Sequence, residues 1–176
     1  VHSNGLTLAR KVLLGDNLEE QKSRINDYEE FLGQTLGEAL LEPTRIYVKP
    51  VMEMLDSGID LKAMVHITSG GFCNLNRVES DNIQFVIDTL QPVPEIFNLI
   101  QDRGGISEAE MFEVFNMGTG FCLVVEGTKE VEAITETCKK HDLPCQVIGH
   151  IEAHQGKEVT LPQKQLIGKG SRFESS

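Results

Sequence analysis

The apolar residues of this chain keep changing their period, and that switching constrains its fold more than any single motif does. Near the start, Leu6, Ala9 and Leu13, with Leu8 and Val12 beside them, recur at helical spacing. From Lys62 to Thr68 the period falls to two, with Ala63, Val65 and Ile67 on one face, and Ile83, Phe85 and Ile87 repeat the pattern. Helical and extended segments therefore mix without strict alternation. Such a chain buries its apolar faces as an α+β fold, a mixed α/β layer in which helices pack on a mixed sheet of about four to six strands.

Turn and cap signals place the other elements. The first helix ends near Gly15-Asp16, and residues 16–35 are charged and weakly periodic, reading as a loop with a short helical turn at most. Val48, Val51, Met52 and Leu55 form the stripe of a helix within residues 46–56, with Pro50 in its first turn and Gly58 stopping it. Ser69-Gly70-Gly71 turns the chain from the Lys62–Thr68 strand into a short helical segment from Phe72 to Val78. Pro94 opens a helix that Gly104-Gly105 closes, and Ser107 with Glu110 has capping-box spacing ahead of a helix turning Met111, Phe112 and Phe115 inward. Phe121 to Val125 is apolar on both faces, as in a central strand covered on both sides. Thr128 is placed to cap a helix running to about Lys140, with Val131, Ile134 and Cys138 on its buried stripe, and residues 145–151 and 158–161 read as closing strands. One domain is expected over residues 1–161, followed by a polar, loosely held tail over 162–176.

Charge and cysteine usage narrow the partners. With 16 Lys and Arg against 27 Asp and Glu, the net charge is −11, which repels nucleic acid phosphates and anionic lipid surfaces. No apolar run approaches the ~20 residues of a membrane span, and no signal-peptide pattern opens the chain. It begins at Val1 and runs straight into a polar cluster, as expected of a piece of something longer. Cys73, Cys122, Cys138 and Cys145 fit no zinc spacing, so no metal site is expected; as small buried hydrophobes with free thiols they suit a reducing cytoplasm.

Polar and glycine residues stand at three places where a plain core has no need of them. In His2-Ser3-Asn4-Gly5, Ser3 or Asn4 can cap the first helix, and the helix's free N–H groups can also hold an anion. Thr68-Ser69-Gly70-Gly71 either cradles phosphate on consecutive backbone N–H groups or is simply a tight turn; Asn74 and Arg77 follow closely enough to add donors. His66 faces away from Val65 and Ile67, as a site residue or a satisfied histidine. Asn116-Met117-Gly118-Thr119-Gly120 is a ligand-facing loop or a connector. Arg45 offers a forked contact to phosphate or carboxylate, or else a surface ion pair. No nucleophile elbow, Walker loop or dinucleotide fingerprint is present.

These segments, in this order, resemble the aminoimidazole ribonucleotide synthetase family. His2-Ser3-Asn4-Gly5 with the helix after it looks like that family's HSNG segment, and Leu40 to Lys49 (LLEPTRIYVK) is similar to its LLxPTRIYVK stretch. His66 to Phe72 (HITSGGF) resembles its HITGGGF loop, Asn74 to Val78 its N-x-x-R-V, and Met111 to Gly118 its M-[YF]-x-x-FNMG segment. Two departures stand out: Ser69 replaces the first of three glycines, and the stretch after Phe72 is one residue shorter, with Cys73 in place of an aromatic and an acidic residue.

The resemblance implies a cytoplasmic, ATP- and Mg²⁺-dependent cyclo-ligase of purine biosynthesis. Its N-terminal domain, outside this chain, binds most of the ATP and the metal and forms a homodimer. The full enzyme phosphorylates the formyl oxygen of formylglycinamidine ribonucleotide, and attack by the amidine nitrogen then closes the imidazole ring. In that scheme this chain is the C-terminal half, holding ribonucleotide phosphate through His2, Ser3, Asn4, Gly70, Gly71 and Asn74, with Arg45 or Arg77 as a charge clamp and Asn116 as a further contact. No general base is assigned, and the half alone is expected to be inactive. The alternatives are another ATP-using enzyme of the same superfamily, such as a small-molecule kinase, or a non-catalytic ligand-binding module.

Overall fold

The computed structural model describes residue 1 and residues 4–175. Helix α1 (Leu6–Leu14) buries Ala9, Leu13 and Leu14, the stripe its spacing predicts. Residues 16–35 hold more structure than a loop. Helix α2 (Leu18–Arg24) is capped by Asn17, whose side chain accepts from the Glu20 N–H, and strands β1 (Tyr28–Glu29) and β2 (Gln34–Thr35) form a small hairpin. No residue of α2 is buried, so its helicity rests on its cap and leaves no apolar period to read. A reciprocal capping box between Thr35 and Glu38 starts α3 (Leu36–Leu41).

Helix α4 (Val48–Asp56) follows with Pro50 in its first turn, then β3 (Leu61–His66), a 3-10 helix (Gly71–Arg77) and β4 (Ile83–Ile87). Helices α5 (Glu95–Gly104) and α6 (Glu108–Val114) lead to β5 (Phe121–Val125) and α7 (Thr128–Lys140). Thr128 does not cap α7: it is the first helical residue, the cap position is Gly127, and no side chain bonds there.

The fold is α+β, and its main sheet has five strands in the order β6-β4-β7-β8-β9, with β6 (Gly149–Ala153), β7 (Lys157–Leu161), β8 (Leu166–Lys169) and β9 (Arg172–Ser175). Strands β4 and β7 run parallel and the other pairs antiparallel, so the sheet is mixed. Residues 166–175 are therefore not a loose tail. Leu166 and Phe173 point into the core, the Phe173 ring meets Phe112 edge-on at 6.5 Å, and the Phe173 N–H donates to Glu113 at 2.6 Å. Two apolar anchors among polar residues suffice to dock a hairpin whose backbone bonds the sheet supplies.

The apolar run of β5 also misleads. Among the described residues strand β5 pairs only with β3, in a separate two-stranded antiparallel ladder, and most of it is only half-buried. Its apolar side chains face a groove instead of a second neighbour strand. The principal core joins α1, α3, α5, α6, the 3-10 helix and the main sheet around Phe72, Phe112, Phe115, Ile100 and Leu161. A smaller cluster of Met54, Ile134 and Cys138 holds α4 against α7.

Candidate functional site

Both glycine-bearing loops emerge from one end of the β3–β5 ladder. His66 ends β3 directly opposite Phe121, which starts β5, and the Ile67 N–H donates to the Gly120 carbonyl at 3.0 Å. The Thr68–Gly71 turn and the Asn116–Gly120 turn are thereby held side by side. Gly71 fixes them closely. It has φ 52°, and a Cβ there would sit 1.7 Å from the Phe112 carbonyl oxygen, so only glycine lets the 3-10 helix start against the end of α6. Gly70 is also left-handed, at φ 95°, whereas Ser69 is not among the residues with positive φ. The serine in the place of a family glycine therefore carries no backbone strain.

The start of α1 joins the same place. Gly5 occupies the cap position at φ 81°, and a Cβ on it would overlap the Phe115 ring at 2.5 Å. Among the described residues no side chain makes a cap hydrogen bond there, so Asn4 does not cap the helix. Asn4, Thr68 and Asn116 line one notch, floored by Ile67, Phe97, Val114 and Phe115 and of about 10 Å³. That is room for roughly one water or one phosphate oxygen. His2 and Ser3 lie outside the described residues.

The other candidates are placed differently. Asn74 is 1% exposed, and its amide donates to the His66 carbonyl at 3.3 Å, so it braces the turn from inside instead of facing a ligand. Arg77 is exposed at the far end of the 3-10 helix, about 12 Å along its axis from Gly71, and does not meet the glycine turn. Asn116 shapes its own loop: its side-chain oxygen accepts from the Gly118 N–H at 3.1 Å.

Arg45 makes no salt bridge among the described residues. Its guanidinium donates to the Asp142 carbonyl at 3.5 Å, at the rim of a larger groove of about 760 Å³. Tyr47 beside it packs on Phe121, with centroids 5.1 Å apart, and edge-on to His66 at 6.1 Å. Burial raises the Tyr47 phenol above its ordinary pKa against the opposing pull of Arg45. Thr119, which sequence reasoning passed over, lines this groove at 5% exposure with its hydroxyl unpartnered among the described residues. Its position between Gly118 and Gly120 was the available signal.

Among the described residues no group of three or more His, Cys, Asp or Glu side chains is placed to hold a metal ion. The polar groups gathered at the ladder end are backbone N–H groups, amides and hydroxyls, which suit a phosphate oxygen. Among the described residues no helix is long and apolar enough to cross a membrane.

Fold and site together define an α+β domain in which two glycine turns and the start of the first helix meet at one end of a two-stranded ladder. Comparison with known proteins narrows this. The chain belongs to the family "AIR synthase related protein, C-terminal domain", which it matches over residues 1–162. It is 43% identical over 152 residues to the phosphoribosylformylglycinamidine cyclo-ligase of Methanococcus maripaludis strain C6, covering 86% of this chain and 41% of that protein. To the same-named protein of Methanocaldococcus jannaschii it is 44% identical over 153 residues, with coverages of 86% and 41%. To that of Carboxydothermus hydrogenoformans it is 42% identical over 160 residues, with coverages of 90% and 45%. The chain thus spans less than half the length of these relatives.

Proposed function

We propose that this chain is the C-terminal half of an ATP-dependent phosphoribosylformylglycinamidine cyclo-ligase, which converts formylglycinamidine ribonucleotide to aminoimidazole ribonucleotide in the cytoplasm. The observation that carries this reading is the convergence of Asn4, Thr68 and Asn116 on one notch, in a chain that belongs to this family. The start of α1 and the two glycine turns meet there, and a helix start and a glycine-rich turn are both backbone settings that suit a ribonucleotide phosphate. Arg45 and Tyr47, on the same end of the ladder, suit the rest of the ligand: a guanidinium for an anionic group and a ring for stacking.

The part played by these residues is positioning and charge stabilisation, which carry most of phosphoryl-transfer catalysis. ATP supplies the phosphoryl group that activates the formyl oxygen. Mg²⁺ and most of the ATP site belong, in this proposal, to the part of the protein beyond this chain, which also forms a homodimer.

Calorimetric titration with formylglycinamidine ribonucleotide tests the reading, on this chain and on the whole protein that contains it. We expect saturable binding that Gly70→Val and Arg45→Ala each weaken by about tenfold, the loss of one or two charge-assisted hydrogen bonds. Binding unchanged by both substitutions in the whole protein would remove this end of the ladder from the substrate site.

A further inference from the structure

Two strand edges open onto the large groove of about 760 Å³. The Ile67 N–H donates to the Gly120 carbonyl, and the ladder continues with Phe121 opposite His66, Cys122 opposite Val65 and Leu123 opposite Met64. Bonded and non-bonded residue pairs alternate along an antiparallel ladder. Gly120 and Cys122 therefore bond towards β3, whereas Phe121 and Leu123 turn their N–H and C=O groups to the other edge of β5. Among the described residues no strand pairs with that edge. The same alternation applies to β6, where the His154 N–H donates to the Asn82 carbonyl. Glu152 then bonds towards β4, and Ile151 turns its backbone groups to the free edge of the main sheet. Phe121, Leu123 and Ile151 all line the groove.

The β5 edge carries none of the usual protection, since residues 121–125 include no charge and no proline. Both of its faces are apolar: Leu123 and Val125 pack with Met54, Ile134 and Cys138, and Cys122 and Val124 with the principal core. A purely apolar ligand filling the groove would strip water from the edge N–H and C=O groups and leave them unpaired, at a cost for each. An extended backbone satisfies them. Charge narrows the occupant further. Among the described residues no Asp or Glu lines the groove, in a chain that carries 27, and Arg45 stands at its rim without a salt bridge. His150, also in the lining, is already held by Asp88 and Glu152 at 3.2 and 2.9 Å. A carboxylate on the occupant finds its partner at Arg45.

We propose that the groove takes an extended peptide segment of a partner protein as an added strand on the free edge of β5, apolar on both faces and with a carboxylate at the end that meets Arg45. The five residues of β5 span about 17 Å, which sets the segment at about five or six residues. Main-chain hydrogen bonds to Phe121 and Leu123 supply affinity, and the alternating apolar walls of the groove select the side chains. The proposal shares Arg45 with the cyclo-ligase reading and otherwise stands apart from it. Its test leaves Arg45 unaltered and does not use activity.

Two fluorescein-labelled peptides, Val-Ala-Val-Ala-Val-Asp and Asp-Val-Ala-Val-Ala-Val, cover both strand directions and are titrated with the chain by fluorescence anisotropy. We expect one of them to bind saturably. N-methylating one alternate set of its amides should weaken it about tenfold, the loss of about one or two hydrogen bonds. In amide exchange followed by NMR, the bound peptide should slow Phe121 and Leu123 about tenfold and leave Cys122 and Val124, already bonded to β3, unchanged. Leu123→Pro removes an outward N–H that β3 does not use and should weaken the peptide by a similar factor. Should that variant not fold, the N-methylated peptides and the exchange rates of the unaltered chain decide. Binding of neither peptide, binding indifferent to N-methylation, or unchanged exchange at Phe121 and Leu123 would overturn the proposal. So would protection of those two amides that appears without peptide and rises with chain concentration, which would give the edge to a second copy.

Discussion

Single atoms decide several positions here. At Gly71 an added methyl has nowhere to go, because the Phe112 carbonyl stands 1.7 Å from the Cβ position and the φ of 52° is unfavourable as well. We predict that Gly71→Ala costs about 2–4 kcal/mol in urea unfolding. Gly33→Ala, at φ 66° with open space around it, should cost only about 1 kcal/mol. Equal losses at both sites would show that backbone conformation, not the close approach, governs Gly71. His150 provides a pH prediction. Its hydrogen bond to Glu152, with Asp88 also nearby, raises its pKa above the ordinary 6.5. A raised folded-state pKa means that its contribution to stability is complete below about pH 6.5. It fades as pH rises through the folded value. An imidazole NMR titration should place the His150 midpoint above that ordinary value, and Glu152→Gln should bring it down. Of the residues singled out from sequence, Asn4 and the two glycines were placed before a helix and in a turn by spacing alone, and the structure puts them there. Asn74 was not so readily placed: its amide could face a ligand or its own loop, and only the position of the His66 carbonyl decides.

Among the elements, the last hairpin departs furthest from what its composition suggests. Strands β8 and β9 bury two large side chains, and the 3-10 helix grips them from the other side through Asn76, which donates to the Gly168 and Gly170 carbonyls at 3.2 Å. Cys73 packs in the same seam: a Cβ on Gly168 would lie 3.0 Å from its sulfur. Phe173→Ala should therefore cost about 3–4 kcal/mol, near the usual loss for a large aromatic core residue. A loosely attached tail would instead lose less than about 0.5 kcal/mol, and chemical denaturation separates the two values. Helices α1, α4, α5, α6 and α7 were readable because each carries an apolar stripe or a cap residue. Helix α2 and the β1–β2 hairpin were not, since neither buries enough apolar surface to imprint a period on the sequence.

Across the whole molecule, the exposed apolar residues are not scattered evenly. Val48, Met52 and Leu55 lie along one exposed face of α4, with Ile46 just before it. A contiguous exposed apolar face of this kind is expected to make the chain associate with itself. Analytical ultracentrifugation should show an apparent mass that rises with concentration, and the double substitution Val48→Glu with Met52→Lys should restore the monomer. A monomer at every concentration would mean that this face is no more adhesive than the rest of the surface.

The sequence by itself determined the class of fold and the family. Period, caps and the order of the four motif segments are local properties, and each survives without knowledge of what lies opposite in space. The tertiary structure decided which strands pair, and hence that β5 lines a groove instead of filling the sheet centre. It also decided that Asn4, Thr68 and Asn116 share a notch while Arg77 stands apart. These depend on contacts between distant segments, because a side chain's partner is set by the path of the whole backbone and not by its neighbours in sequence.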